Sequence, residues 1–338
     1  MKTEENVLLK NHTTFKIGGN ARYFFEAESI GDITEAVRFA KEQSLPFFIL
    51  GAGSNTLFVS PFFDGVIIKV GIKKKEFKDI GGSVFVSVGA GESWDEFVES
   101  SVRRNLFGVE NLSAIPGSVG ASPTQNIGAY GVEVKNVIHS VEVFDIKNEV
   151  IKVFSNKDCH FSYRDSFFKI GEGRNFLITG VNFLLEKNGN LNFSYKDVAD
   201  YFRDNNMEPT LKNMRKAIVE IRKRKFPDMK VVGTAGSFFK NPLISLEQYS
   251  DLALRFKGMP GIPFGSSLIK IPAGWLVEHV GGFKGFRLGD SGVWKNQALV
   301  LVNLGNATGE EILSLSKKIQ KKIKSESGII LEPEVVIV

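Results

Sequence analysis

Residues 50–57 read Leu-Gly-Ala-Gly-Ser-Asn-Thr-Leu and follow a short apolar run. Small residues at Gly51, Ala52 and Gly53 let backbone N–H groups come close to an anion. Ser54 and Thr56 add hydroxyls, and Asn55 tolerates a left-handed turn. The string is not the fingerprint G-x-G-x-x-G, because Thr56 stands at the last glycine position, and no G-K-[ST] follows as in a Walker loop. Taken alone it is as good a tight turn between strands as an anion cradle.

A second stretch changes that balance. Residues 111–131 read NLSAIPGSVGASPTQNIGAYG, low in charge and punctuated by Gly117, Gly120, Gly128 and Gly131. A loop of about 20 residues in a compact fold is usually functional. Ser118, Ser122, Thr124, Gln125 and Asn126 supply polar groups, and the amides can pair with the donor and acceptor edge of a heterocycle. Two such loops, one in each of two α/β pieces, suit a dinucleotide. The structural alternative is an irregular core loop. A further basic run, Arg222-Lys223-Arg224-Lys225, suits a diphosphate or a solvated helix face. The Lys73-Lys74-Lys75 run reads as a solvated turn.

These residues need elements to hold them. The periodicity predicts strands over 21–27, 47–50, 65–70 and 83–88, and a helix over 29–43 with Ile33, Val37 and Ala40 on one face. Ser93, three residues before Glu96, caps a helix over 94–105. Strands follow at 140–145, 150–154 and 176–185. A basic helix covers 210–225, its apolar face Leu211, Met214, Ile218 and Ile221, and Pro227 ends it. After short pieces come a strand at 298–303 and a helix over 308–325. Thr308 and Glu311 form its capping box, Ile312, Leu315, Ile319 and Ile323 its buried stripe, and Gly328 its stop. A strand over 329–337 closes the chain.

The 338 residues suit about two domains, with 43% hydrophobic and 24% charged residues, so a disordered or collagen-like chain is excluded. No apolar run approaches the length of a bilayer crossing, and residues 1–12 lack signal-peptide character. The single cysteine, Cys159, suits a reducing cytoplasm, and four scattered histidines argue against a metal centre. A net charge of +5 permits nucleic acid or a phosphorylated small molecule. No nucleic-acid module is present, and basic residues do not interleave with aromatics, so nucleic acid is the weaker reading.

The chain resembles the bacterial UDP-N-acetylenolpyruvoylglucosamine reductases, flavoenzymes of peptidoglycan-precursor synthesis. The resemblance runs nearly end to end. It is carried by residues 11–19 (NHTTFKIGG), 50–55 (LGAGSN), 115–121 (IPGSVGA), 125–131 (QNIGAYG), 163–166 (YRDS), 235–242 (AGSFFKNP), 273–276 (AGWL) and 331–334 (LEPE). It implies an α/β (α+β) architecture: a p-cresol-methylhydroxylase-type FAD-binding domain of two α/β subdomains, 1–70 and 71–210, then a substrate-binding α+β domain, 211–325. Residues 326–338 would return to the active site.

The resemblance also implies a cytoplasmic monomer with noncovalent FAD, NADPH as electron donor and UDP-N-acetylglucosamine enolpyruvate as substrate, with no nucleic acid or membrane partner. FAD would be held by Gly51, Ala52, Gly53, Ser54, Asn55, Thr56, Pro116, Gly117, Ser118, Gly120, Ala121, Gln125, Asn126 and Gly128. A hydride from flavin N5 would reach the terminal carbon of the enol ether, and the product would be UDP-N-acetylmuramate. Ser237 falls on the proton donor, with Lys240 and Lys225 as candidate stabilisers of its alkoxide. Arg164 falls on the arginine near the flavin and the enolpyruvyl carboxylate, and Glu334 on the catalytic glutamate. A carboxylate there would repel the developing negative charge, so Glu334 is either protonated or acts through Arg164 or water. Tyr163, Lys225 and Asn241 fall on substrate contacts. Tyr195 falls on a tyrosine that, in one subgroup, folds over the substrate diphosphate. Thr234 departs from the asparagine or serine of many relatives. The rival reading on the same fold is a sugar or alcohol oxidase, whose flavin is often tethered through histidine or cysteine. No histidine lies in the glycine loop.

Overall fold

The computed structural model describes residues 3–338; residues 1 and 2, which open the expected 1–70 subdomain, lie outside the described residues. The chain forms two compact units. The first comprises residues 3–7, Ala21–Ala52 and Phe63–Lys223, the second Leu8–Asn20, Gly53–Phe62 and Arg224–Val338.

The first unit is built on two sheets. One orders the strands Thr3–Leu8, Asn20–Ala27, Phe62–Val70 and Phe47–Leu50, the last two parallel with Phe47 opposite Val66. The helix Ile30–Glu42 connects Asn20–Ala27 to Phe47–Leu50 and is started by a capping box between Ser29 and Asp32. The other sheet is antiparallel, in the order Val150–Ser155, Ile138–Asp145, Phe176–Glu186, Ser83–Gly89 and Lys75–Asp79. One core, including Phe25, Val37, Val86, Trp94, Phe97, Val141 and Phe183, runs through both halves. Residue 70 is therefore not the edge of a separate core. Helix Trp94–Arg103, capped by Ser93, buries Trp94 and Phe97, and Phe97 stacks on Phe183 at 4.6 Å. The Trp94 indole N–H is buried and must find an acceptor; it donates to Leu112 O at 2.9 Å and so pins the start of the 111–131 loop.

A smaller core in this unit joins helices Lys196–Asp204 and Leu211–Lys225 through Val198, Tyr201, Phe202, Met214 and Ile218, with Tyr130 among them. The helix Lys196–Asp204, directly after Tyr195, was not foreseen from the sequence. Lys75, read as part of a solvated turn, instead begins an edge strand.

In the second unit, helix Gly309–Ser327 buries Ile312, Leu315, Ile319 and Ile323 completely, with the expected Thr308–Glu311 box and a left-handed Gly328. It shares its core with Phe15, Phe238, Phe239, Leu276 and Val277. Two three-stranded sheets accompany it, one of Leu243–Ser245, Leu268–Lys270 and Ile262–Phe264, the other of Arg287–Leu288, Ser291–Val293 and Leu301–Asn303. Helix Leu246–Arg255 was not foreseen, because only Leu252 of it is buried and the stripe is too thin to read. The expected strand over 329–337 shortens to Val336–Ile337, which pairs in parallel with Thr56–Leu57. Pro333 has no N–H to extend the ladder.

Candidate active site

The glycine loop is divided between the units after Ala52. In the first unit, Gly51 lies against Ser118 and Ala121. A Cβ on Gly51 would stand 2.6 Å from Ser118 Oγ and 3.7 Å from Ala121 Cβ. The two small-residue loops thus form one surface, with Ala52 and Ala121 exposed on it. A flat ligand with a pyrophosphate requires close backbone approach of this kind, so the residues fit FAD.

The members of this surface differ in what they can offer. Gly120 N–H donates to Ala90 O at 2.9 Å, and a Cβ there would meet Ala90 Cβ at 2.5 Å, so Gly120 serves packing. Asn126 is fully buried with φ +46°. Its amide nitrogen donates to Ser162 O at 2.9 Å and Glu133 Oε2 at 3.1 Å, and its oxygen accepts from Lys135 N–H at 3.0 Å. Both amide hydrogens are engaged inside the unit, so the side chain shapes the loop rather than reading a heterocycle. Pro116, Gly117, Gln125 and Gly128 are half-buried along the same loop.

Arg164 sits in a tight turn closed by reciprocal backbone hydrogen bonds between Ser162 and Asp165 at 3.1 and 3.3 Å. Its φ is +53°, a left-handed conformation costing a side-chain-bearing residue roughly 1–2 kcal/mol. Nη2 donates to Gly128 O at 2.6 Å, which aims the fork along the cofactor loop. The guanidinium carbon also lies 5.6 Å from the Tyr163 ring centroid, so these two candidates share one turn. Tyr195 is exposed at the start of its helix.

The loop's entry is held by charge. Ala114 has φ +57°; its N–H donates to Asp95 Oδ1 and its carbonyl accepts from Arg222 Nε at 3.0 Å. Asp95 is gripped in bidentate fashion by Arg215 at 2.6 and 3.0 Å. Burial alone would push the Asp95 carboxyl up, but the Arg215 fork, the Ala114 N–H and the Arg222 charge hold it below the ordinary carboxylate range. Burial pulls the Arg222 guanidinium down, offset in part by Tyr130 and Asp95. Arg222, taken from sequence as a diphosphate ligand or a solvated residue, is instead a strut of the loop. Asp95, Arg215 and Asn111 were missed; the signal available was an asparagine and an acid beside an apolar loop, which composition alone does not mark.

The second unit gathers Gly53, Ser54, Asn55, Thr56, Lys225, Ser237, Asn241 and Glu334. Gly53 has φ +63°, and a Cβ would fall 2.0 Å from His12 O, so the NHTTF motif packs directly beneath it. Thr14 N–H donates to Gly53 O at 3.1 Å, and Thr14 Oγ1 to Thr234 O at 2.7 Å. Thr234, fully buried, donates to Leu301 O at 2.8 Å and accepts from Gly236 N–H at 3.1 Å. That closes the turn before Ser237, for which Gly236 takes φ +77°.

Ser237 begins an extended segment flanked on both sides. It bridges Val300, and Phe238 N–H donates to Leu299 O at 2.8 Å. On the other side Phe239 bridges Pro333, Lys240 N–H donates to Glu332 O at 2.9 Å, and Glu334 N–H donates to Phe238 O at 2.8 Å. Ser237 and Glu334 therefore lie on neighbouring segments one register step apart. Asn55 Nδ2 donates to Glu334 O at 3.1 Å, so Asn55 and the Thr56–Val336 pair serve to hold the glutamate's strand. Lys240 Nζ lies 3.2 Å from Glu332 Oε2 and so is turned to a carboxylate rather than offered to Ser237. Asn241 Oδ1 accepts from Ala273 N–H at 2.8 Å, joining FFKNP to AGWL. Lys225 is half-buried at the end of its helix.

Known proteins resemble this chain over its whole length. Residues 227–338 match the family described as UDP-N-acetylenolpyruvoylglucosamine reductase, C-terminal domain, and residues 21–153 match the FAD binding domain. The chain is 42% identical over 341 residues to the UDP-N-acetylenolpyruvoylglucosamine reductase of Flavobacterium johnsoniae, covering 100% of both. It is 40% identical over 335 residues to that of Pseudomonas aeruginosa, covering 99% of this chain and 98% of that one. The crystal structure of the Thermus caldophilus reductase shares its fold, with a TM-score of 0.70, 24% identity and coverage of 100% and 99%. So, more distantly, does 6-hydroxy-D-nicotine oxidase from Arthrobacter nicotinovorans, with a TM-score of 0.52, 12% identity and coverage of 97% and 86%. Among the described residues no helix is long and apolar enough to cross a membrane. The chain belongs to the UDP-N-acetylenolpyruvoylglucosamine reductase family, FAD-dependent oxidoreductases of peptidoglycan synthesis.

Proposed function

We propose that the chain reduces UDP-N-acetylglucosamine enolpyruvate to UDP-N-acetylmuramate in the cytoplasm, as a monomer, with NADPH as the electron source. The observation that supports this reading is the backbone ladder that joins the segment of Ser237 to the segment of Glu334. FAD, when bound, would supply the hydride chemistry that links the nicotinamide to the terminal enolpyruvyl carbon.

The chain's own residues supply the rest. Negative charge develops at the carbon next to the carboxylate, and that carbon must take a proton. Ser237 is the proposed donor. A serine hydroxyl is a weak acid, so its value lies in fixed geometry, which the Thr234 hydroxyl and the two flanking segments impose. Glu334, one register step away on the neighbouring segment, is the proposed acidic partner. Arg164 is assigned to the enolpyruvyl carboxylate, which its permanently charged, planar guanidinium suits, while Gly128 O fixes its orientation. Tyr163, Tyr195 and Lys225 are assigned to the substrate, Lys225 as a point charge for the diphosphate. The Asn241 amide nitrogen joins them, its oxygen being taken by Ala273. Gly51, Ala52, Pro116, Gly117, Ser118, Ala121, Gln125 and Gly128 of the first unit are assigned to FAD, with Gly120 and Asn126 shaping their loop, as are Gly53, Ser54, Asn55 and Thr56 of the second.

Anaerobic titration tests the whole reading. NADPH should bleach the bound flavin, and the enolpyruvyl nucleotide should restore its colour with one equivalent. A flavin that NADPH reduces but the nucleotide cannot reoxidise would overturn it.

A further inference from the structure

Tyr195 precedes helix Lys196–Asp204 in extended conformation, with 41% of its surface exposed. An exposed tyrosine at such a junction ordinarily samples several rotamers, and fixing it on a ligand costs free energy. Here its ring stands edge-on to Tyr130, with centroids 5.2 Å apart and planes at 84°.

Tyr130 is held far more firmly. It is buried, and its φ of +49° is one that a bulky side chain avoids without external support. The support is visible. Asn111, fully buried, donates from its amide nitrogen to Tyr130 O at 3.0 Å and to Asn192 O at 2.9 Å. The chain before Tyr195 and the chain at Tyr130 thus hang on one side chain. The buried Arg222 guanidinium faces the Tyr130 hydroxyl and also donates from Nε to Ala114 O at 3.0 Å. Tyr130 packs with Val198, Tyr201 and Phe202, all from the helix that follows Tyr195. At Gly131, φ +83°, a Cβ would come within 2.4 Å of Ser194 Oγ, so the two loops meet there too closely for a side chain.

We propose that Tyr130 is a positioning residue for substrate capture: its clamped ring is the seat that holds Tyr195 ready to meet the substrate diphosphate. This rests on the reading of Tyr195 as a substrate contact. Part of the ordering that binding requires is already done by the edge-on pair, so affinity rises without any contact between Tyr130 and the reacting atoms. The effect therefore falls on KM and Kd, and leaves kcat and flavin content alone.

The test is a double-mutant cycle on the holoenzyme, with Kd for the enolpyruvyl nucleotide measured by calorimetry beside KM and kcat. Tyr130→Leu should weaken binding about three- to tenfold with kcat unchanged, the range an edge-on aromatic pair supports. Tyr130→Phe, which keeps the ring, should restore wild-type affinity. In a Tyr195→Leu background, Tyr130→Leu should add nothing. Full additivity, or tighter binding by Tyr130→Leu, overturns the seat while the role of Tyr195 stands. A Tyr195→Leu variant with unchanged Kd removes both. Tyr130→Asn, at ease in a left-handed conformation, repeats the test with the same expected loss if the leucine variant sheds its flavin.

Discussion

The two units hold their candidate side chains by different means. In the first, turns and side-chain bonds do it: Arg164, Ala114, Asn126 and Tyr130 all have positive φ; Arg164 and Asn126 donate from their side chains to Gly128 O and Ser162 O, and the carbonyls of Ala114 and Tyr130 accept from Arg222 and Asn111. In the second, extended backbone does it: Ser237 and Glu334 are set by bonds between main-chain groups, with Thr234 and Asn55 at the margins. Strained turns present loops to a ligand and can be loosened by removing one side chain. A backbone ladder resists side-chain substitution, so changing Ser237 should alter chemistry with little change in shape.

That contrast can be tested, and the largest effect expected is at Ser237. Ser237→Ala should lower turnover of the enolpyruvyl substrate about 10²–10⁴-fold, the usual worth of a general acid. Stopped-flow reduction of the flavin by NADPH should stay near normal; equal losses in both half-reactions would remove the serine from proton transfer. Next come the two glycines of one loop. Gly53→Ala meets backbone at a positive φ and should cost about 3 kcal/mol or more in denaturant melts. Gly51→Ala meets a serine hydroxyl that can swing aside and should cost less than about 1 kcal/mol while weakening FAD retention.

Arg164→Lys keeps the charge and loses the fork. It should reduce kcat/KM about ten- to a hundredfold, the factor carried by one charge-assisted hydrogen bond, with thermal stability little changed. A value equal to wild type would show that a point charge suffices.

The effect at Asp95, which braces Ala114, is one that pH should modulate. Its folded pKa is depressed, so its contribution to stability is present above the ordinary value of 3.8 and is lost as pH falls through the folded value. Asp95→Asn should cost about 1–2 kcal/mol at neutral pH, and the gap from wild type should close on acidification. A gap that does not change with pH would mean that the pair with Arg215 contributes no charge-dependent stability.

Local signals were legible where a few neighbouring residues decide the outcome. Ser29, Ser93 and Thr308 cap helices as their spacing to Asp32, Glu96 and Glu311 demands. The stripe from Ile312 to Ile323 is buried as read. The short helices were not legible. Leu246–Arg255 buries too little to leave a period, and Lys196–Asp204 owes its packing to residues before it and after it in the chain.

For the candidate site, residue types and order were enough to name a glycine loop, a second small-residue loop and the motifs of a reductase family, because chemistry constrains those residues wherever the chain takes them. Only the folded chain decided that Asn126 and Gly120 turn inward, that Arg222 braces Ala114, and that Asn55 holds the strand of Glu334. Each of those assignments depends on a hydrogen-bond partner remote in sequence. No local pattern encodes which of several possible partners a buried polar group finds, since that choice is made by burial of the whole core.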